Sequence, residues 1–206
     1  IAPYELFAPS EPSPLVVSAS TTGDNALQVY EHIQESVKRN RKLLAAAKLI
    51  EYRKRIRLKK RAGEYRALSA DAPNSEGLNC TAVIVDEAHA HKSPKLYRSL
   101  EYATIGRFNG LKIIISTAGD DLTHWYYGLV VRGRNILAGT DTDPTFYAEV
   151  YEVDPEKDDL EDPETWKKAN PSLGLYPAFS VEAFRLMWET AKSNTSDKLS
   201  LERYRM

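Results

Sequence analysis

Two acidic and two histidine side chains follow one apolar run of the sequence. The segment TAVIVD ends in Asp86, and Glu87, His89 and His91 come directly after it. A continuous run of apolar and β-branched residues of this length is typical of a central parallel strand that is covered on both faces. Adjacent carboxylates at the end of such a strand can hold a metal ion and polarise a water molecule. This stretch therefore predicts a reactive site at the end of a buried strand.

A second run of the same kind, LKIIISTAG, ends in small polar residues that include Ser116 and Thr117. Its continuous β-branched pattern predicts a strand that neighbours the first one. In open α/β sheets, ligands bind beyond the carboxyl ends of the strands. We therefore expect Asp86, Glu87, Ser116 and Thr117 to meet at one edge of the sheet.

Carboxylates in this position are typical of P-loop NTPases. In these proteins one carboxylate holds the magnesium ion, usually through water, and a second orients the water that attacks the γ-phosphate of ATP. Asp86 is expected to take the first role and Glu87 the second. The alternative is a strand that ends in a solvated acidic turn. The hydroxyl groups predicted on the neighbouring strand favour the nucleotide site, because sensing of the γ-phosphate requires such groups.

The two histidines also suggest a metal site, since the spacing in HAH can place two imidazoles on one ion. No further cluster of Cys or His lies nearby, and the zincin pattern HExxH is absent. We therefore interpret His89 and His91 as polar residues of the turn between strand and helix. His89 is expected to link the carboxylates to the following strand by a hydrogen bond.

The remaining patterns predict an α/β order of elements. A buried strand over PLVVSAS precedes an amphipathic helix, with Asp24 or Asn25 at its start and apolar residues at helical spacing. RIRLKK and EYRALS flank a short turn and predict a β-hairpin that presents basic side chains. Further elements are predicted as a helix at Pro94–Thr104, a helix at Trp125–Leu137, a strand at Phe146–Asp154, and helices in DPETWKKAN and SVEAFRLMWETAK.

Charge is unevenly distributed, although the net charge is only −1. Basic residues crowd between Lys38 and Arg66, and this segment can contact nucleic-acid phosphates or form a solvated face. The acidic passage from Asp154 to Pro163 is the predicted boundary between a core of residues 1–153 and a helical subdomain of residues 154–206. The single cysteine, Cys80, is interpreted as a core residue. No apolar run reaches the roughly 18 residues of a membrane span, so a cytoplasmic setting without a membrane partner is expected.

Four segments, in this order, resemble the ATPase domain of the large terminase subunit of tailed bacteriophages: SASTTGDNALQVYEHI, GEYRALSADAPNSEGLNCTAVIVDEAHAHK, LKIIISTAGDD and DPETWKKANPSLG. The resemblance implies a P-loop NTPase fold of the RecA/ASCE type, with a mostly parallel sheet flanked by helices and a small helical annex. It implies a motor that uses ATP and Mg²⁺ to drive double-stranded DNA into a procapsid. The implied partners are the portal protein, the small terminase subunit and further copies in a ring, at the portal vertex in the bacterial cytoplasm.

The resemblance also implies residue roles. Asp86 and Glu87 match the Walker B pair, and Ser116, Thr117 and Ala118 match the coupling motif that transmits the nucleotide state. SADAPNSEGLN matches the loop ahead of Walker B. An arginine finger from an adjacent subunit is expected, and the candidates are Arg98, Arg107, Arg132 and Arg134. Candidates for DNA contact are Arg55, Arg57 and Lys59.

Two features depart from the family pattern. The sequence holds no Gly-Lys-Ser or Gly-Lys-Thr loop, and it stops where a nuclease domain is expected. We therefore interpret it as a fragment that binds ATP weakly by itself. Two alternatives stay open. The letters DEAH also occur in a helicase family, although nothing here resembles its QRxGR motif, and a decayed prophage fragment would keep the fold without catalysis.

Overall fold

The computed structural model describes residues 1–7, 11–70, 77–119, 121–154, 156–159 and 161–192, so most of the loop SADAPNSEGLN and the segment LERYRM lie outside the described residues. The chain forms two compact units, Ile1–Ser116 and Thr117–Met206. The boundary expected between Asp154 and Pro163 lies inside the second unit. The division between the two units follows the end of the last strand of the sheet.

The first unit is built on a six-stranded sheet. Its strands are β1 (Leu15–Ser20), β2 (Ala47–Ile50), β3 (Arg55–Leu58), β4 (Glu64–Ser69), β5 (Ala82–Val85) and β6 (Leu111–Ile114). They lie in the order β2-β3-β4-β1-β5-β6. The pairs β4–β1, β1–β5 and β5–β6 are parallel, whereas β2–β3 and β3–β4 are antiparallel. The predicted mostly parallel sheet is confirmed, and the two apolar runs are neighbours in it.

Four helices of the first unit are α1 (Ala2–Phe7), α2 (Gly23–Arg39), α3 (Arg41–Ala46) and α4 (Lys95–Tyr102). The N-cap of α2 is Thr22, whose hydroxyl accepts a hydrogen bond from the backbone N–H of Asn25. The expected caps Asp24 and Asn25 instead lie in the first turn, two and three residues after the N-cap, because the helix already begins at Gly23. Its predicted apolar face is confirmed, since Ala26, Tyr30 and Val37 are buried against the sheet.

A buried tyrosine joins α2 to the sheet. The ring of Tyr65, on β4, stacks on Tyr30 of α2 with 6.5 Å between centroids. Its hydroxyl lies 2.6 Å from the Ser18 hydroxyl on β1, and both residues are buried. Burial raises the pKa of Tyr65 well above its ordinary value, so this hydroxyl stays neutral. Cys80 is also fully buried, as expected of a core residue, and burial raises its pKa to about 11.

The second unit is helical, with α5 (Trp125–Leu137), α6 (Pro163–Ala169) and α7 (Val181–Lys192). Asp162 caps α6 by accepting from the backbone N–H of Glu164, and Pro163 occupies the first turn, where its missing N–H costs nothing. A small core forms between α6 and α7 around Trp166, Phe184 and Trp188. None of the helices in the described ranges combines the length and low polarity needed to cross a lipid bilayer.

The predicted strand at 146–154 is wrong. No backbone ladder joins this segment to another part of the described chain. Its exposure nevertheless alternates residue by residue, because it packs beside α5 rather than in a sheet. A Cβ atom at Gly133 of α5 would come within 3.1 Å of the Ala148 side chain, so the glycine permits this close approach. The alternation reflects packing on a helix, which periodicity alone does not distinguish from packing in a sheet.

The contact between Tyr65 and Ser18 makes a prediction about stability. Tyr65→Phe leaves the buried Ser18 hydroxyl without its partner, so we expect the free energy of unfolding to fall by about 1–3 kcal/mol. Urea unfolding of residues 1–206 measures this, with Tyr52→Phe as the exposed control. The double variant Ser18→Ala/Tyr65→Phe should lose less than the sum of the single losses. Strict additivity would show that the two hydroxyls do not interact.

Candidate active site

The end of β5 is fixed by backbone hydrogen bonds to both neighbouring strands. The N–H of Asp86 donates to the carbonyl of Ala19 on β1 at 2.9 Å. Glu87 then adopts a left-handed backbone with φ of 49°, and a short 3₁₀ turn follows at Ala88–Ala90. The N–H of Ala88 donates to the carbonyl of Ile115, beyond β6, at 3.3 Å. A left-handed backbone costs a non-glycine residue about 1–2 kcal/mol, and these bonds on either side hold it in place.

The environment of Asp86 disfavours the charged form of its carboxyl group. Burial raises its pKa, and so does the negative charge of Glu87. The backbone N–H of Glu87 and the nearby His91 act in the opposite direction without cancelling the rise. The buried ring of His91 reaches the Asp86 carbonyl through Nε2 at 3.0 Å. A cation at this position would relieve the repulsion between the two carboxylates.

A buried hydroxyl at the end of β1 adds to this site. Ser20 follows Ala19, whose partner across the parallel pair is Val85, so Ser20 and Asp86 are the next residues of adjacent strands. The Ser20 side chain is buried, and its Oγ finds no hydrogen-bond partner among the described residues. Mg²⁺ prefers oxygen ligands and usually keeps several waters. The carboxylate of Asp86 and the hydroxyl of Ser20 are therefore oxygen groups of the kind that a hydrated magnesium ion takes.

Glu87, His89 and Ser116 contact one another. Nδ1 of His89 lies 3.2 Å from Oε2 of Glu87 and 2.9 Å from the Ser116 hydroxyl. The same hydroxyl accepts a hydrogen bond from the His89 backbone N–H at 3.0 Å. The expected link from His89 to the following strand is thus present. Ser116 is the last residue of the first unit and Thr117 opens the second, so the first unit by itself brings together Asp86, Glu87 and Ser116.

The two histidines serve different partners. His91 is buried against the Asp86 backbone, whereas His89 contacts Glu87 and Ser116. Within the ranges that the structure describes, no group of three or more His, Cys, Asp or Glu side chains is arranged to hold a metal ion. The two imidazoles therefore contact different partners in this turn.

Three of the four arginine-finger candidates have side-chain partners within their own unit. Arg107 donates to the carbonyls of Asn79 and Ser13 and pairs with Glu11 at 2.7 Å. It therefore fastens the loop before β6 to the segment before β1. Arg98 is different, because it lies exposed on α4 and has no side-chain partner in the described part of the chain.

Arg132 and Arg134, both on α5, hold the irregular segment that follows. Arg132 pairs with Asp143 and lies over the Phe146 ring at 4.5 Å. Arg134 pairs with Glu152, and this carboxylate raises the pKa of the guanidinium further. These contacts attach the segment after α5 to the helix, where the sequence predicts a strand.

The candidates for DNA contact are partly neutralised. Glu64 of β4 lies 3.1 Å from the guanidinium of Arg55 and 3.4 Å from that of Arg57, and Arg66 contacts the same carboxylate. Lys59 donates to the carbonyls of Leu44 and Ala45, which end α3. Arg57 keeps 51% of its side chain exposed, against 28% for Arg55.

Sequence reasoning missed the edge strand β2 and the cleft beside it. The cleft has a volume of about 630 Å³ and is lined by Lys48, Leu49, Ile50, Glu51, Tyr52, Arg53, Arg55 and Arg57. The alternating basic and apolar letters of AKLIEYRKRIR were the available signal. Sequence reasoning also missed Ser20, because a serine at a strand end carries no chemical signal until its neighbours are known.

The raised pKa of Asp86 makes a prediction about stability and pH. Between the unfolded value of about 3.9 and the raised folded value, the folded state binds more protons than the unfolded chain. The free energy of unfolding therefore falls as the pH rises through this window and stays lowered above it. Asp86→Asn removes the effect, so its Tm should exceed that of the parent at pH 7 in metal-free buffer and approach it near pH 4.

Asp121 provides a control of opposite sign. Hydrogen bonds from Thr123 lower the pKa of Asp121, so its charged form is favoured in the folded state. Asp121→Asn should lower the Tm at pH 7, and the difference should shrink as the pH falls. An Asp86→Asn variant that is less stable than the parent at pH 7 would contradict the prediction that the charged Asp86 carboxylate destabilises the folded state.

Comparisons with known proteins agree with the α/β fold. The family model described as "Terminase large subunit, ATPase domain" matches residues 1–131. The terminase large subunit of Enterobacteria phage HK97 is 32% identical over 118 residues, which are 55% of this chain and 22% of that protein. Protein YmfN of Escherichia coli K12 is 30% identical over 100 residues, 48% of this chain and 22% of its own length. The chain thus spans about a fifth of these relatives.

Solved structures match in the same way. The crystal structure of the HK97 large terminase superposes with a TM-score of 0.82 at 24% identity, over 98% of this chain and 41% of that one, which shows a shared fold. The Thermus phage P74-26 large terminase ATPase domain gives a TM-score of 0.54 at 29% identity, over 64% of this chain and 57% of that one. Since the family model covers more than half of the residues, this chain belongs to the terminase large subunit ATPase-domain family.

Proposed function

We propose that this chain is the ATP-hydrolysing part of a large terminase subunit, a motor that drives double-stranded DNA into a procapsid. The observation that carries the proposal is the pair Asp86–Glu87 at the carboxyl end of a central parallel strand, with Ser116, two residues beyond the neighbouring strand, in contact through His89. Membership of the terminase family supports it and favours it over the helicase alternative.

The proposed roles follow from position and charge. Asp86 holds the magnesium ion through water, and the orphan hydroxyl of Ser20 adds a second oxygen beside it. When bound, the magnesium ion would neutralise negative charge on the phosphate oxygens. Glu87 accepts a hydrogen bond from the attacking water and holds it in line with the γ-phosphate. Ser116 and Thr117 are proposed to contact the nucleotide and to transmit its state.

Arg98 is the proposed arginine finger among the four candidates. An arginine that acts on the nucleotide of an adjacent subunit must be exposed and uncommitted within its own chain. Arg98 meets both conditions among the described residues, whereas Arg107, Arg132 and Arg134 hold parts of their own units together. This assignment requires a ring of several copies.

The partners of the proposed motor are double-stranded DNA, the portal protein, the small terminase subunit and further copies of the same chain. Its place of action would be the portal vertex of the procapsid in the bacterial cytoplasm. Arg55, Arg57 and Lys59 are the proposed DNA contacts. Among them Arg57 is best placed, because half of its side chain is exposed beside the basic cleft.

Replacement of Glu87 tests the proposed hydrolysis. Glu87→Gln keeps the shape of the side chain but removes the charge that orients the water, so we expect kcat to fall by about 10²–10⁴ with little change in nucleotide binding. The measurement is ATP turnover with and without double-stranded DNA, on the chain joined to a phosphate-binding loop. Glu35→Gln, an exposed carboxylate on α2, is the matched control.

The same assay separates the alternatives. Turnover that requires Glu87 and rises with double-stranded DNA supports the motor. Stimulation by single strands or RNA alone would favour a helicase, and no turnover in a folded parent would favour a decayed fragment. The 206-residue chain by itself is proposed to bind ATP weakly, since it holds no Gly-Lys-Ser or Gly-Lys-Thr sequence. Tight magnesium-dependent binding in a calorimetric titration would contradict this.

A salt titration tests the DNA contact. Each phosphate contact contributes about −0.9 to the slope of log affinity against log salt concentration. Arg55→Gln/Arg57→Gln should weaken binding to any sequence and flatten the slope by up to about two such contacts. Lys167→Gln/Lys168→Gln, which removes two exposed and ion-paired charges from α6, is the charge-matched control. An equal loss in both double variants would assign the effect to net charge.

A further inference from the structure

We propose that His89 is a positioning residue, which holds the Glu87 carboxylate in place and connects it to Ser116 at the end of β6. The proposal rests on the proposed role of Glu87 in hydrolysis, and it deepens that role. It assigns the connection between the carboxylate and the end of the neighbouring strand to a single ring nitrogen. Four observations carry it.

The first observation is that one atom serves both partners. Nδ1 of His89 lies 3.2 Å from Oε2 of Glu87 and 2.9 Å from Oγ of Ser116. An ionised carboxylate can only accept hydrogen bonds, whereas a hydroxyl can donate or accept. The contact with Glu87 is therefore attractive only if Nδ1 carries a proton. The proposal therefore assigns the proton to Nδ1, where the Glu87 carboxylate and the Ser116 hydroxyl oxygen can both accept it.

The second observation is that the backbone of His89 is bound to the same hydroxyl. Its N–H donates to Ser116 Oγ at 3.0 Å, so the same hydroxyl contacts both the backbone and the ring of His89. A shift of Ser116 would move the imidazole together with its backbone. The ring cannot follow one partner without disturbing the other.

The third observation is the conformation of Glu87. Its left-handed backbone, with φ of 49°, is sparsely populated for a residue with a side chain. Such a conformation persists only where the surroundings hold it, and it occurs often at functional sites. Here the hydrogen bond from Ala88 to Ile115 and the contact of His91 with the Asp86 carbonyl hold the turn from both sides.

The fourth observation concerns freedom of movement. The Glu87 side chain is 44% exposed, so by itself it would sample several rotamers, whereas the His89 side chain is 21% exposed. A hydrogen bond from the less exposed ring restricts the more exposed carboxylate. Misplacement of a catalytic group by about 1 Å can lower the rate by a factor of about 10², so loss of this restriction should lower the rate measurably.

Two substitutions of His89 separate the hydrogen bond from the bulk of the ring. The side-chain nitrogen of Asn lies the same number of bonds from the backbone as Nδ1, and that of Gln corresponds to Nε2. His89→Asn therefore keeps a donor at the required position, and His89→Gln moves it away. We expect His89→Asn to retain turnover within about twofold, and His89→Gln and His89→Ala to lose about tenfold in kcat with KM little changed.

The hydrogen bond itself is tested without ATP. Long-range ¹H–¹⁵N correlation spectra of residues 1–206 report which ring nitrogen of His89 is protonated. We expect the Nδ1–H form in the parent and a shift toward Nε2–H in Glu87→Ala, where the accepting carboxylate is gone. An unprotonated Nδ1 in the parent would overturn the proposal.

The outcomes distinguish this proposal from the proposed function. Turnover that survives Glu87→Gln would overturn the function, and with it the catalytic meaning of the His89 contact. Turnover that requires Glu87 but is the same in His89→Asn, His89→Gln and His89→Ala would overturn the positioning role alone. A loss in His89→Gln and His89→Ala that His89→Asn rescues supports it.

Discussion

The parallel pairing of β5 with β1 is the interaction on which the candidate site depends. The pairing joins Ala19 to Val85, and the hydrogen bond from the Asp86 N–H to the Ala19 carbonyl extends it by one residue. This bond fixes the point at which β5 stops and the turn begins. Because side chains alternate along a strand, a slip of one residue would exchange the two faces of β5 and move the carboxylates away from their partners. Since β6 runs parallel on the other side, Ser116 reaches the same edge.

The turn after β5 converts this fixed end into a site. Two carboxylates in sequence repel each other, and burial of Asp86 increases the cost of its charge. The turn tolerates this because hydrogen bonds from both neighbouring strands and from His91 hold the backbone. A cation bound here would reduce the repulsion between the two carboxylates. This relief would add to the favourable free energy of cation binding.

Many arginines of this chain are already paired with its own carboxylates. The number of basic residues in the sequence therefore overstates the positive charge that can bind a partner. Arg55, Arg57 and Arg66 share the carboxylate of Glu64, and Arg107 is bound to Glu11 and to two backbone carbonyls. A guanidinium that already holds a carboxylate must be released before it can bind a phosphate. The exposed Arg98 escapes this limit within the described residues. Arg57 does not, but it shares its carboxylate with two other arginines and keeps half of its side chain exposed, which is why the proposals assign both residues roles at interfaces.

The sequence by itself determined the elements whose signal is local. The apolar runs that became β5 and β6, the apolar face of α2 and the position of Asp86 and Glu87 after a buried strand all follow from periodicity and residue type. Tertiary structure decided the rest, because it depends on partners distant in the chain. Only the fold showed that Ser20 lies beside Asp86, that Ser116 is the residue that meets His89, and that the alternating segment 146–154 packs beside a helix without a strand partner among the described residues. A pattern fixes which face of a segment is buried, whereas the sheet order and the pairing register fix what that face meets.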